Sequence, residues 1–256
     1  MKADEKMLAM LDAARGLSRA PISGFPVGAV ARGRSGALHL GANLEFVGAA
    51  LGATVHAEQA AIANAWAHGE RGITDLAVTD APCGHCRQFL NELRDAGALR
   101  ILLPSREPIT LGELLPAAFG PADLRITARL MDAAANPLAL EDEASSTDPL
   151  AGAALAAACR AYAPYTGAFA GVAVELADGS TRVGSGAENA AYNPGLPALQ
   201  AALVQLAVDG VPFESVRRAV LVEAGGPCSQ RAATETLLAA VAPGIALTSL
   251  RATRPS

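Results

Sequence analysis

Short runs of this chain recur once, in the same order, 141–146 residues further along. Ala20-Pro21-Ile22-Ser23 returns as Ala163-Pro164-Tyr165-Thr166, and Gly28-Ala29-Val30 as Gly171-Val172-Ala173. The run Gly41 to Phe46 pairs with Gly186 to Tyr192, Gln59-Ala60-Ala61-Ile62 with Gln200-Ala201-Ala202-Leu203, and Pro82-Cys83 with Pro227-Cys228. Each match is short and made of common residues, but their shared order predicts one fold written twice in 256 residues. The polar run Glu141–Pro149 reads as a linker. The expected organisation is therefore a first domain over 1–140, a linker over 141–149 and a second domain over 150–256.

Within the first copy the hydrophobic period alternates between helix and strand. Glu5 to Arg15 reads as a helix with Met7, Met10 and Leu11 on one face. Val27–Arg32 and Ala37–Phe46 read as two strands joined by Gly33-Arg34-Ser35-Gly36. Ala57–Ala67 is helical by its alanine content and closes at His68-Gly69. Asp75–Thr79 reads as a buried strand, and Pro82 is placed to open the next helix. On that helix Cys83, Cys86, Leu90 and Leu93 share a face, with Phe89 beside them. Leu99–Leu103 and Leu124–Met131 supply later strands. The predicted fold class is a duplicated α/β/α sandwich with mixed five-stranded sheets.

Composition removes several functions. Half of the residues are apolar and 18% are charged, which excludes wholesale disorder. A net charge of −5 argues against a surface that tracks nucleic-acid phosphates or anionic membranes. The longest uncharged stretch, Asn189–Val208, has the length of a membrane span but carries two prolines, two asparagines and two glutamines. The first residues are charged and lack an apolar core, unlike a secretion signal, so a cytoplasmic protein is expected.

The chemistry concentrates in His56-Ala57-Glu58 and Pro82-Cys83-Gly84-His85-Cys86. His-x-Glu followed by Pro-Cys-x-x-Cys is the general signature of zinc deaminases. One imidazole and two thiolates leave a fourth tetrahedral position for water, as a catalytic zinc requires. Both cysteines fall in the first turn of a helix, where free N–H groups and the dipole favour thiolate. Glu58 lies two residues from His56, close enough to exchange protons with the metal's water without being a ligand. The alternatives are a redox pair or a structural zinc. A structural site needs a fourth ligand, and the nearby candidate, His85, lies between the cysteines and should point elsewhere. Cys159 follows an alanine run and reads as a packed thiol, His39 sits in an alternating strand, and His68 ends a helix. Phe25, in a Gly24-Phe25-Pro26 loop, is either core filling or substrate-facing. Asn43 and Glu45 share one face of a strand, which by itself could be the solvated side.

These residues resemble the cytidine deaminases, specifically the long bacterial form with two deaminase-like halves. The resemblance is carried by Asn43-Leu44-Glu45-Phe46, Val55 to Gln59, Pro82 to Phe89 and Leu115 to Pro121. It implies one Zn²⁺ per chain on His56, Cys83 and Cys86, with Glu58 as the catalytic proton shuttle. It implies that Asn43 and Glu45 bind the ribose hydroxyls, that Phe25 lies against the pyrimidine and that the Ala57 N–H bonds the base carbonyl. It also implies a homodimer in which Phe119 approaches the neighbouring subunit's site. The expected reaction converts cytidine and 2′-deoxycytidine to the uridines within pyrimidine salvage. Short family members resemble the same pattern with Cys-Ala-Glu-Arg in place of His56 to Gln59. With a neutral His56 the zinc shell sums to zero, so an uncharged Gln59 suffices. The long form carries a helical extension ahead of the first half, where this chain begins with one short helix.

The second copy is chemically empty by the same alignment. His56 falls at Pro197, Glu58 at Leu199 and Cys86 at Arg231, leaving Cys228 alone. It is expected to be a degenerate scaffold that completes the dimer. Three rival functions are weighed: a polynucleotide-editing deaminase, a deaminase of an unusual nucleoside, and a zinc-stapled binding protein. The first would want basic grooves and stacking aromatics, and aromatics make up 4% of this chain. The second differs only in its pocket walls. The third has no use for Glu58.

Overall fold

The computed structural model describes residues 3–132 and 136–255. Strands β1 (Gly28–Gly33), β2 (Leu38–Ala42), β3 (Ile73–Val78), β4 (Arg100–Leu102) and β5 (Ile109–Thr110) form one sheet in the order β2-β1-β3-β4-β5. A second sheet contains β6 (Ala139–Leu140), β7 (Phe169–Leu176), β8 (Thr181–Ser185), β9 (Val216–Ala224) and β10 (Leu247–Thr253) in the order β6-β10-β9-β7-β8. In each sheet the central strands β1 and β7 pair antiparallel with both neighbours, and one parallel pair follows, β3 with β4 or β9 with β10. The duplicated five-stranded mixed sheet anticipated from the sequence is thus present. The two sheets differ at one edge. β5 follows β4 in the chain, whereas β6 comes from ahead of the second copy.

Helices cover both faces, and glycines set how closely they come. α1 (Ala3–Ala9) and α2 (Leu11–Arg15) lie on one side of the first sheet, where Met7, Leu11 and Ala14 pack on Val30, Ala77 and Leu102. α3 (Ala57–Ala67) lies on the other. β1 and β2 pair Ala29 with Gly41, so Gly28 and Gly41 face opposite ways. A Cβ on Gly28 would sit 2.3 Å from Arg15 N in α2, and one on Gly41 would sit 2.1 Å from Ala61 N in α3. The second half repeats this with α6 (Pro149–Cys159) and α7 (Ala198–Val208). A Cβ on Gly171 would lie 2.1 Å from Ala158 N, and one on Gly184 would lie 2.2 Å from Ala198 O. These approaches make two three-layer sandwiches. α3 and α7 are buried nearly all round, as alanine-rich helices wedged against a sheet must be.

The register corrects one detail of the internal alignment. The bridges Arg19–Leu44–Val55 recur as Tyr162–Ala187–Leu196. Gly41 therefore corresponds to Gly184 and Glu45 to Glu188, two residues from the pairing of Gly41 with Gly186 that the sequence suggested. The expected helix over Glu5–Arg15 is two helices meeting at Met10. The expected strand over Leu124–Met131 does not form. Turns occupy its start, with Ile126 N donating to Pro121 O, and only Leu130 makes a bridge, to Leu93. Leu124 is exposed while Leu130 and Met131 are buried, and Arg125 and Met131 take left-handed backbone (φ 58° and 72°), which interrupts an extended run.

The chain divides into two compact units. The first contains Met1–Glu45, Thr54–Ala133 and Asn189–Gly195; the second contains Phe46–Ala53, Ala134–Glu188 and Leu196–Ser256. Each unit thus includes a short stretch from the other half of the sequence, in both cases the loop between the second strand and the following helix. Among the described residues no helix is long and apolar enough to cross a membrane.

Candidate active site

Two helix starts meet at the C-terminal end of β3. His56 is the N-cap of α3, and its N–H donates to Gln59 Oε1 at 3.2 Å, which fixes the first turn. Cys83 is the N-cap of α4 (Gly84–Leu90), with Cys86 in its first turn. The His56 Nδ1 lies 3.5 Å from Cys83 Sγ and 3.3 Å from Cys86 Sγ, and the two sulfurs are 3.7 Å apart. Tetrahedral Zn–S and Zn–N bonds of ordinary length put two sulfurs about 3.8 Å apart and a sulfur about 3.6 Å from a nitrogen. The triangle thus has the dimensions that one face of a zinc tetrahedron would need, and the soft donor set fits that ion. His85 stacks on the His56 ring, centroids 5.3 Å apart, instead of joining the triangle. That placement removes the fourth ligand a structural site would need.

The local electrostatics prepare Cys83 as the thiolate of the pair. The Cys86 thiol beside it and the N–H groups of Cys86 and His85 bring Cys83 down to about 4. Hydrogen bonding to Cys83, then burial and the Glu58 charge, push the Cys86 thiol up. Glu58 is buried beside Cys86, and that burial raises its carboxyl above its ordinary value. A carboxyl whose proton affinity is raised by burial is suited to accept and return a proton, which a general acid–base needs.

Above these groups opens a cavity of 300 Å³, large enough for a nucleoside-sized ligand. Its walls include Phe25, Asn43, Glu45, His56, Ala57, Glu58 and Cys83, so seven of the nine residues singled out from the sequence converge. Cys86 joins through the triangle, being buried beneath it. Phe119 is absent from the wall. It is exposed, and its carbonyl accepts from Gln88 Nε2 at 2.9 Å and Asn91 Nδ2 at 3.1 Å. Ser23, Thr54, Asp80 and Ala81 also line the cavity and were missed. Asp80 and Ala81 could have been found from their place just beyond the carboxyl end of a central strand, where α/β sheets open crevices.

Asn43 and Glu45 are not the solvated side of a strand. Asn43 Oδ1 accepts from Ser18 Oγ at 2.6 Å and Val27 N at 2.9 Å, while Nδ2 donates to Phe25 O at 3.0 Å. The second Nδ2 hydrogen is left for another acceptor. Glu45 Oε2 accepts the N–H groups of Ile22 and Ser23 at 2.8 and 2.9 Å, and Oε1 accepts the Ser23 hydroxyl. Ser23 Oγ in turn accepts the Phe25 N–H at 3.0 Å. Burial works to raise the Glu45 carboxyl, but these bonds together hold it below its usual range, so it is ionised at neutral pH. Phe25 itself is half exposed at the cavity rim.

The second half keeps the frame and loses the donors. Glu188 Oε2 accepts from Tyr165 N and Thr166 N, Oε1 accepts the Thr166 hydroxyl, and Thr166 Oγ1 accepts from Ala168 N. That is the Glu45 arrangement repeated, with Ala168 in place of Phe25. Pro197 caps α7 where His56 caps α3. The Ala57 N–H is the first of its helix and has no intrahelical acceptor. Its counterpart, the Ala198 N–H, is taken by Gln230 Oε1 at 2.9 Å.

Two copies of a zinc-binding deaminase fold, one complete and one stripped of ligands, define the class. The description "Cytidine and deoxycytidylate deaminase zinc-binding region" matches residues 1–99 and, in a second version, residues 111–235. A cytidine deaminase of Vibrio atlanticus is 49% identical over 248 residues, covering 96% of this chain and 83% of the relative. One from Serratia proteamaculans is 51% identical over 220 residues, covering 86% and 74%. The chain belongs to the cytidine deaminase family. Zinc is its cofactor.

Proposed function

We propose that this chain hydrolyses the exocyclic amine of cytidine and 2′-deoxycytidine, releasing ammonia and leaving uridine and 2′-deoxyuridine for pyrimidine salvage. The observation that carries this reading is the buried Glu58 carboxyl beside the His56–Cys83–Cys86 triangle, lining the same cavity. Held by those three residues, zinc supplies a Lewis acid that makes water nucleophilic near neutral pH. The Ala57 N–H takes the base carbonyl, Phe25 covers the ring face, and Asn43 and Glu45 take the ribose hydroxyls. Glu58 accepts a proton from the attacking water and delivers it to ring N3 as oxygen adds to C4. It then moves the hydroxyl proton of the C4 adduct to the amino nitrogen, which leaves as ammonia. Atoms balance as cytidine plus water gives uridine plus ammonia.

Residues 1–140 carry this chemistry in the proposed division, with 141–149 linking them to the degenerate copy over 150–256. The chain works as a homodimer in which the exposed Phe119 completes the neighbouring subunit's site. Two metal-binding thiolates call for a reducing compartment, which supports the cytoplasm. No nucleic acid or membrane partner is expected of this acidic chain.

The test is loss of the cytidine ultraviolet band in the presence of zinc-loaded protein; a fully loaded protein that leaves it unchanged contradicts the reading. Ionised Glu45 at the sugar end repels a 5′-phosphate. Cytidine 5′-monophosphate should therefore lose about tenfold or more in kcat/KM against cytidine. Equal turnover would remove Glu45 from the sugar subsite.

A further inference from the structure

Residues 189–195 belong to the first compact unit although they lie in the second half of the sequence. They are held at both ends by the helices that carry the metal triangle. At one end, Asn189 and Ala190 meet α4 and the turn that follows it. Asn189 Nδ2 donates to Gln88 O at 2.9 Å, and Gln88 Nε2 donates to Asn189 Oδ1 at 3.3 Å. The Ala190 N–H donates to Glu92 Oε1 at 2.7 Å. Glu92 and Asn189 are both 0% exposed. A carboxylate taken wholly out of water needs partners, and this stretch supplies one of them. At the other end, Gln59 Nε2 donates to Gly195 O at 3.4 Å. The same Gln59 amide fixes the His56 turn through its Oε1.

We propose that this arm is a positioning element for the metal centre, with Glu92, Asn189 and Gln88 as positioning residues that hold α4 at a set distance from α3. The proposal rests on the metal reading of His56, Cys83 and Cys86. His56 comes from α3 and both cysteines from α4, so any splay of the two helices lengthens the sulfur–nitrogen edges of the triangle. Those edges are now within about 0.3 Å of the tetrahedral values. The counterpart stretch 46–53, in the second unit, has Phe46 as its one buried residue and is otherwise half-buried or exposed. The Phe46 ring lies 5.9 Å from the Phe213 ring, centroid to centroid. The buried polar latch is thus found on the copy whose helices bear ligands. Outer-shell partners of this kind typically change metal affinity 10–100-fold when lost.

The experiment follows zinc release from the loaded full chain into excess chromogenic chelator at a temperature well below unfolding. Wild type is compared with Glu92→Gln, Asn189→Ala and Gln88→Ala, and the Tm of each metal-free protein is measured alongside. Zinc should leave the first two variants about 10–100-fold faster than wild type. Gln88→Ala should move the same way by a smaller factor, and it keeps the test available if the buried variants do not fold. Release within twofold of wild type in every folded variant, whatever their Tm, would overturn the proposal and leave the arm a purely structural element. A wild-type protein that holds no zinc would instead overturn the metal reading itself, and the proposal with it.

Discussion

The two halves share a frame down to single hydrogen bonds, and they part at the tips of two helices. Glu45 and Glu188 each gather two backbone N–H groups and a hydroxyl to close the same turn. Gly28 and Gly171, like Gly41 and Gly184, admit a helix against opposite faces of each sheet. Where α3 begins His56-Ala57-Glu58, α7 begins Pro197-Ala198-Leu199, and Gln230 takes the N–H whose counterpart in the first half has no acceptor within its helix. What the halves keep in common is therefore structural, and what differs is chemical. The comparison adds to the reading of Glu45. A carboxylate retained at the equivalent place in the second copy holds a turn there, and in the first copy the same turn carries Phe25 at the cavity rim.

The strongest way to break the comparison is at the glycines. Gly41→Ala and Gly184→Ala each put a Cβ within 2.1–2.2 Å of helix backbone, which has no rotamer to yield. Both should destabilise by about 3 kcal/mol or more, measured by denaturant unfolding. A tolerated alanine at either site would show that its helix packs less closely than its twin.

The turn staples come next. Glu188→Ala should lower stability by about 1–3 kcal/mol through the N–H groups it leaves without acceptors, with zinc content unchanged. Glu45→Ala should show a similar loss and, in addition, a raised KM. If only Glu45→Ala moved stability, the equivalence of the two staples would fail. The Glu45 carboxyl is held below its ordinary value of 4.5, so its stabilisation is present above that pH and is lost as pH falls through the lower, folded value. Glu45→Gln should accordingly flatten the acid limb of a Tm-against-pH profile, whereas an unchanged limb would contradict the staple.

The smallest effect belongs to Gln230→Ala, which frees the Ala198 N–H and should cost about 1 kcal/mol in thermal or denaturant unfolding. No change at all would mean that water serves as well as the amide.

The metal triangle was legible in the sequence because its chemistry demands particular residues at particular spacings, and the helix over Ala57–Ala67 lies where its alanine content predicted it. The duplication was legible as well, but its register was not. Alanine and glycine recur too often for Gly41 to be told from its neighbours, and only the bridges from Leu44 and Ala187 settle the pairing. Leu124–Met131 does not form a strand because Arg125 and Met131 take left-handed backbone, which the apolar pattern does not encode. The roles of Glu45 and of the 189–195 arm depend on partners 22 and about 100 residues away, and no local pattern carries such a pairing. Sequence places Asn43 and Glu45 two residues apart, but the strand ends at Ala42, and the hydrogen bonds they make to Ser18, Ser23 and Val27 are not written in it.

The most direct measurement of the central claim is the turnover of cytidine by zinc-assayed Glu58→Ala beside wild type. The account predicts that the variant keeps its zinc, because Glu58 is not a ligand, and loses at least ~10²–10⁴-fold in kcat, because both proton transfers have lost their carrier. A zinc-loaded Glu58→Ala protein with near-normal turnover would contradict it.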